Sequence, residues 1–119
     1  MSTPAKPVGP YTPIVRAGDW LVVSGQVGIS DGRIVSGGVA GELRQAIANL
    51  EAQLATEGAA LTDVVKTTVF LRHMDDYARM NETYVAAFGD HRPARSAVGV
   101  AELPLGALVE VEAWAWVGG

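Results

Sequence analysis

The segment LVEVEAWAWV, residues 108–117, alternates strictly between two kinds of side chain. Val109, Val111, Ala113 and Ala115 share one parity; Glu110, Glu112, Trp114 and Trp116 share the other. Successive side chains of a strand point to opposite faces, so this is a β-strand with two unlike sides. The small apolar side suits packing beneath a helix. The other side carries two tryptophans, which bury a large area once covered, with two carboxylates beside them.

Upstream, DVVKTTVFLR at Asp63–Arg72 is a strand by its Val, Thr and Phe content. It is apolar on both sides too, with Val65, Val69 and Leu71 on one and Val64 and Phe70 on the other. DWLVVSGQV at Asp19–Val27 is a third strand; Ser30–Gly32 supplies a turn, and Arg33–Ser36 a short returning strand. Ser96–Ala101 is a further strand, joined to the last through the LPLG turn. Only the first ten residues read as loop or tail.

Two stretches have a helical period instead. Val39, Leu43, Ile47, Leu50 and Leu54 recur at three- and four-residue steps, which predicts a helix over Val39–Glu57 with Gly58 at a left-handed C-cap. Asp75 is placed to N-cap a second helix, with Tyr77, Met80, Tyr84 and Phe88 on one face and Gly89 closing it. The sum is one α+β domain spanning residues 1–119. Two helices shield only one face of such a sheet. The other face needs a partner, and self-association is the simplest source.

Composition points the same way. Of 119 residues 49% are hydrophobic and only 18% charged, against about a quarter charged in an average domain. Apolar patches of the size this implies are rare on monomers. The chain has no cysteine, which rules out a disulfide scaffold and thiolate chemistry. MSTPAKPVGPYTP lacks the apolar core of a signal peptide, and no run approaches the ~20 apolar residues that span a bilayer. The expectation is a cytoplasmic protein that makes no membrane contact. A net charge of -4 is a poor match to nucleic acid.

Candidate chemistry is sparse. His73 and His91 are the only histidines, with no cluster at metal-ligand spacing around them, and both read as surface residues. Ser24 and Ser96 lack the surroundings of an activated nucleophile. Arg95, in HRPARSAV, carries a planar fork suited to a carboxylate, but an arginine at a strand start serves equally as a salt-bridge residue. Glu110 lies on the tryptophan face, where cover would desolvate it and raise its pKa towards that of a general base; it could equally pair with an arginine across an interface. Glu112, one step along, is not separable from it by chemistry.

Four segments in order change that balance: GPY at Gly9–Tyr11, VSGQ at Val23–Gln26, DVVKTTVFLRHMDDYARMNETY at Asp63–Tyr84, and PARSAVGVAELPLGALVEVEAWA at Pro93–Ala115. Together they resemble the RidA/YjgF family of reactive-intermediate deaminases over nearly the whole chain. The resemblance implies a fold like chorismate mutase of the trimeric bacterial type, with a mixed sheet and two helices on one face. It also implies a homotrimer whose sheets form a central barrel and whose sites lie in clefts between subunits. The implied activity is hydrolysis of 2-imino acids such as 2-iminobutanoate and 2-iminopropanoate to 2-oxo acids and ammonia, without metal or organic cofactor. In that pattern Arg95 matches the residue that binds the substrate carboxylate, and Glu110 the residue that activates or orients water. Tyr11, Ser24 and Gly25 match cleft-lining positions, and Asn81 the asparagine of the second helix.

Some positions depart from the pattern. Ala97 stands where a cysteine is common, Arg92 where an aromatic often precedes Pro93, and Pro13 where glutamine follows GPY. The link from Phe88 to Pro93 is short. These changes touch the mouth of the implied cleft, and so bear on substrate preference. Two other readings stand beside the deaminase: a non-catalytic trimer that binds small carboxylates or proteins, and an endoribonuclease, a name attached to parts of this family. The acidic charge disfavours the last.

Overall fold

The computed structural model describes residues 4 and 6–119. In chain order its elements are strands β1 (Ile14–Ala17), β2 (Trp20–Val27), β3 (Ile29–Ser30) and β4 (Arg33–Ile34), helix α1 (Gly38–Ala55), strand β5 (Val64–Leu71), helix α2 (Tyr77–Phe88), and strands β6 (Ala94–Gly99) and β7 (Val109–Trp116). Short 3-10 turns at Leu61–Asp63, Met74–Asp76 and Pro104–Gly106 precede β5, α2 and β7. Five strands form one sheet in the order β1-β2-β7-β5-β6. All neighbours are antiparallel except β5 and β6, so the sheet is mixed and the fold α+β. No described helix is long and apolar enough to cross a membrane.

The alternation in the last strand sets this arrangement. β7 is central, and Val109, Val111, Ala113 and Ala115 are all fully buried beneath the helices. The two alanines leave room for α1, whose Val39, Leu43, Ile47, Leu50 and Leu54 are buried as the periodicity predicts. Met80, Tyr84 and Phe88 of α2 join the same core. The opposite face of the sheet is bare, with Trp114 and Trp116 each 44% exposed beside Trp20.

Three polar side chains of α1 are also buried, on the margins of its apolar stripe: Glu42, Asn49 and Gln53. Buried polar groups require partners. Asn49 donates to the carbonyls of Val27 and Ile29, both at 3.0 Å, and Glu42 accepts from the backbone N–H of Leu108 at 2.8 Å. The helix thus holds the end of β2 and the start of β7. Gly28 makes this approach possible, because a Cβ there would lie 2.4 Å from the Glu42 carbonyl oxygen.

Several expectations need correction. The first helix ends at Ala55, two residues early, but Gly58 does cap it: φ is +73°, and Gly58 and Ala59 donate back to Ala55 and Leu54 in a Schellman arrangement. Asp75 is not the N-cap of α2. It lies inside the preceding 3-10 turn, and Asp76 flanks the helix without a side-chain bond. The strand expected at Ser96–Ala101 starts two residues earlier, because parallel pairing with β5 begins at Ala94. Val65 is exposed rather than facing with Val69: a bulge between Val64 and Lys66 turns Val64 inward instead. Arg33–Ile34 returns against Ile29–Ser30 and stays outside the main sheet. β1, four residues long, was not anticipated. Positions 6–10 are loop, as expected, while residues 1–3 and 5 of that tail lie outside the described residues.

Candidate active site

A second bulge builds the site. Pairing of β2 with β7 passes from Val23↔Ala113 to Gln26↔Val111, so three steps on β2 match two on β7 and Ser24–Gly25 bow out of the ladder. The freed polar groups are taken up locally. The Ser24 N–H donates to the Pro13 carbonyl at 2.9 Å, and its hydroxyl to the Thr12 carbonyl at 2.7 Å. The buried Gln26 amide donates to the Ser24 carbonyl at 3.0 Å. These bonds fasten the GPYTP segment to the bulge, and Tyr11 comes to stand over it.

Glu110 fills the space that the bulge creates. A Cβ on Gly25 would lie 2.6 Å from Glu110 Oε2 and 2.8 Å from its Cδ, so only glycine lets the carboxylate lie against the strand. Tyr11, Ser24, Gly25 and Glu110 line one cleft of about 170 Å³, whose apolar walls are Val8, Val27 and Pro104. Glu110 is half-buried, and burial pushes its carboxyl above the ordinary value; the charge of Glu112 adds to the rise. The structure thereby separates two carboxylates that their chemistry and shared strand face left unranked. Glu110 enters the cleft, whereas Glu112 pairs across the ladder with Thr68 and shows no bond to another side chain among the described residues.

Arg95 lies elsewhere. It is on edge strand β6 opposite Thr67, and its half-buried side chain turns to the helix side of the sheet. Its Nη2 donates to the Tyr77 hydroxyl at 3.2 Å, and its Cζ sits 4.9 Å from the Tyr84 ring centre. Burial raises the pKa of Tyr84, against the lowering effects of a Thr67 hydrogen bond and the Arg95 and Arg92 charges. Asn81, on the same helix, has a buried side-chain oxygen without a partner.

The expected site residues therefore form two groups. Tyr11, Ser24, Gly25 and Glu110 come together; Arg95 lies apart from them against Tyr77, Met80 and Tyr84 of α2, the helix that also carries Asn81. Within one chain the groups do not meet. Glu110 is on the open face and Arg95 on the helix face, with β5 between their strands, a span of two strand spacings or about 10 Å before any offset along the strands. Gln26, Tyr77 and Tyr84 shape the site but were not singled out for it. Glutamine in VSGQ and the aromatic helix positions were visible, but nothing in their spacing tells a site residue from a core residue.

Of the remaining expected positions, His73 is exposed, but His91 is half-buried and its Nε2 lies 2.7 Å from the Val64 carbonyl, so it helps hold the loop before β6. Arg92 donates to the carbonyls of Gly89 and His91 and so braces the short link after α2. Ala97 packs against the core from β6. A larger groove of about 610 Å³ runs between the N-terminal segment, the β3–β4 hairpin and α1, but among the described residues its charged lining is only Lys6 and Asp31. Among the described residues no three His, Cys, Asp or Glu side chains gather as a metal site would require.

Comparison with known proteins bears on the family and the fold. The model of the Endoribonuclease L-PSP family matches residues 1–117. A RutC family protein of Pyrococcus horikoshii is 44% identical over 113 residues, covering 93% of this chain and 90% of its own. The human 2-iminobutanoate/2-iminopropanoate deaminase is 44% identical over 108 residues, 89% of this chain and 79% of its own. Among solved structures, the YjgF gene product of E. coli superposes with a TM-score of 0.88 at 39% identity, covering 96% of this chain and 92% of that one. E. coli TdcF with bound serine does so with a TM-score of 0.90 at 33% identity, over 98% and 94%. On these grounds, the chain belongs to the Endoribonuclease L-PSP family, the RidA/YjgF group whose motifs it carries.

Proposed function

We propose that this protein hydrolyses reactive 2-imino acids to 2-oxo acids and ammonia, in clefts completed between subunits of a homotrimer of chorismate-mutase-like architecture. The observation that carries the reading is the seating of Glu110. It is a partly dehydrated carboxylate with a raised pKa, held against Gly25 in a small cleft with apolar walls. The names of the deaminase relatives support the reaction class.

The chemistry follows from those groups. A protonated 2-imino acid is already electrophilic at the imine carbon, so the protein has to place it and supply water. The Arg95 fork anchors the carboxylate end, with about 1.5–3 kcal/mol for each hydrogen bond to a charged group. Glu110 takes a proton from the attacking water as the C–O bond forms and the C=N bond becomes single. It returns that proton to nitrogen, then takes the remaining hydroxyl proton as the C=O bond forms and the C–N bond breaks, and this proton leaves with ammonia as ammonium, with the 2-oxo acid behind. No redox step or cofactor enters this balance. Because the two residue groups lie on opposite faces of one chain, the reading requires Arg95 of one copy to meet Glu110 of another.

Added to a dehydratase acting on threonine, the protein should speed the appearance of 2-oxobutanoate, and Arg95→Ala should not. Identical traces for both variants and for no protein would contradict the assignment. A second reading, a small-carboxylate binder without turnover, is favoured by one observation: Arg95 has no carboxylate partner among the described residues. Saturable 2-oxobutanoate binding without acceleration would select it.

A further inference from the structure

Arg95 is half-buried, and the ion pair recorded among the described residues joins Arg16 to Glu57 instead. The guanidinium has five N–H donors. Nη2 reaches the Tyr77 hydroxyl at 3.2 Å, and Nη1 reaches only the sulfur of Met80 at 3.5 Å, a weak acceptor. Beneath it lies Tyr84, whose position is fixed: the side chain is buried, its hydroxyl pairs with that of Thr67 at 2.7 Å, and its ring stacks on Phe88 at 4.6 Å. Attraction of the cation to that ring sets the plane of the fork but occupies none of its N–H groups.

Tyr77 differs from Tyr84 in every respect that matters for binding. It stands at the first position of α2, is 41% exposed, and its ring is 5.7 Å from the guanidinium carbon. A phenol hydroxyl accepts and donates at once. Since its oxygen accepts from Arg95, its own hydrogen points away from the cation, and no described residue is recorded as accepting it. Two donors thus lie side by side, one charged and one neutral, with the acceptor both lack still to come.

We propose that Tyr77 is a substrate-binding residue, its hydroxyl donating to the carboxylate that the Arg95 guanidinium grips. This rests on the reading of Arg95 as the carboxylate anchor. A carboxylate accepts from both groups, and both hydrogen bonds are strengthened by charge. The hydroxyl also keeps the fork in place before substrate arrives, so less freedom is lost on binding.

Tyr77→Phe tests this, because it keeps the ring and removes only the hydroxyl. Calorimetric titration with 2-oxobutanoate should show Kd raised about tenfold, the loss of one hydrogen bond to a charged group. In the coupled dehydratase assay KM should rise to a similar extent while kcat stays within about twofold, the mark of an interaction made equally in ground and transition states. The melting temperature should not change. If Tyr77→Phe binds and turns over like wild type while Arg95→Ala loses both, this proposal is overturned and the anchor reading stands. Should Arg95→Ala also bind 2-oxobutanoate like wild type, the anchor reading itself fails and takes this one with it. A fall in kcat at unchanged Kd also overturns it.

Discussion

At position 25 a single methyl group is enough to test how the carboxylate is seated. The Cβ of Gly25→Ala would fall 2.6 Å from Glu110 Oε2, and the far end of that flexible side chain would swing away while the backbone stayed. A displacement of this size should lower kcat/KM about a hundredfold with the fold retained. Assay and melting curve on the same preparation check it, and full activity would contradict the seating described. The raised pKa of Glu110 gives a second test. A base works ionised, so the rate should fall as pH drops through that pKa, an acid limb above the ordinary 4.5. Glu112→Gln removes the repulsion that contributes to the rise, lowers the Glu110 pKa and should move the limb to lower pH. An unmoved limb would rule that contribution out. Side-chain chemistry alone could not rank Glu110 above Glu112, since both share one strand face, and only the family resemblance pointed to Glu110; what separates them in the structure is a bulge on a neighbouring strand.

Elements were legible where the pattern was long and uninterrupted. β7 alternates over its full length and α1 repeats its apolar step four times, so both emerged from residue order alone. Bulges broke the rest. Val65 was assigned to the wrong face because one extra residue reverses every parity before it, and no side chain in DVVKTTVFLR announces that residue. β1 is too short to show a period, and the buried polar margin of α1 looks like any solvated face. Glu42 carries a prediction at this scale. Burial raises its pKa, Asp76 adds to the rise, and its bond from Leu108 opposes it. Glu42→Leu should cost about 1–3 kcal/mol by leaving the Leu108 N–H unsatisfied. Glu42→Gln keeps the acceptor and removes the dehydrated charge. A carboxyl with folded pKa above its unfolded value penalises the fold once pH rises past both. The Gln variant should therefore match or exceed wild type in melting temperature at pH 7. That gain should vanish below the ordinary carboxylate range; a gain that persisted there would contradict the cause given.

For the whole molecule the governing fact is a sheet covered on one face only. Trp20 meets Trp116 edge-on at 5.1 Å and Trp114 at 6.0 Å, and this aromatic cluster remains exposed on the open face. The composition of the chain foretold that imbalance, but not that Arg95 and Glu110 would be parted by the sheet, because strand order is invisible in a list of strands. If copies cover this face, replacing Trp114 and Trp116 by lysine should yield a smaller sedimenting species with its secondary structure intact. An unchanged mass would place the contact elsewhere. The proposal that the site is shared between copies is tested most directly by mixing two inactive chains. Arg95→Ala and Glu110→Gln, co-expressed and purified together, should recover activity, with intact clefts at about a quarter of all sites when copies assemble at random around a shared interface. A mixed preparation as inactive as either parent would contradict the account.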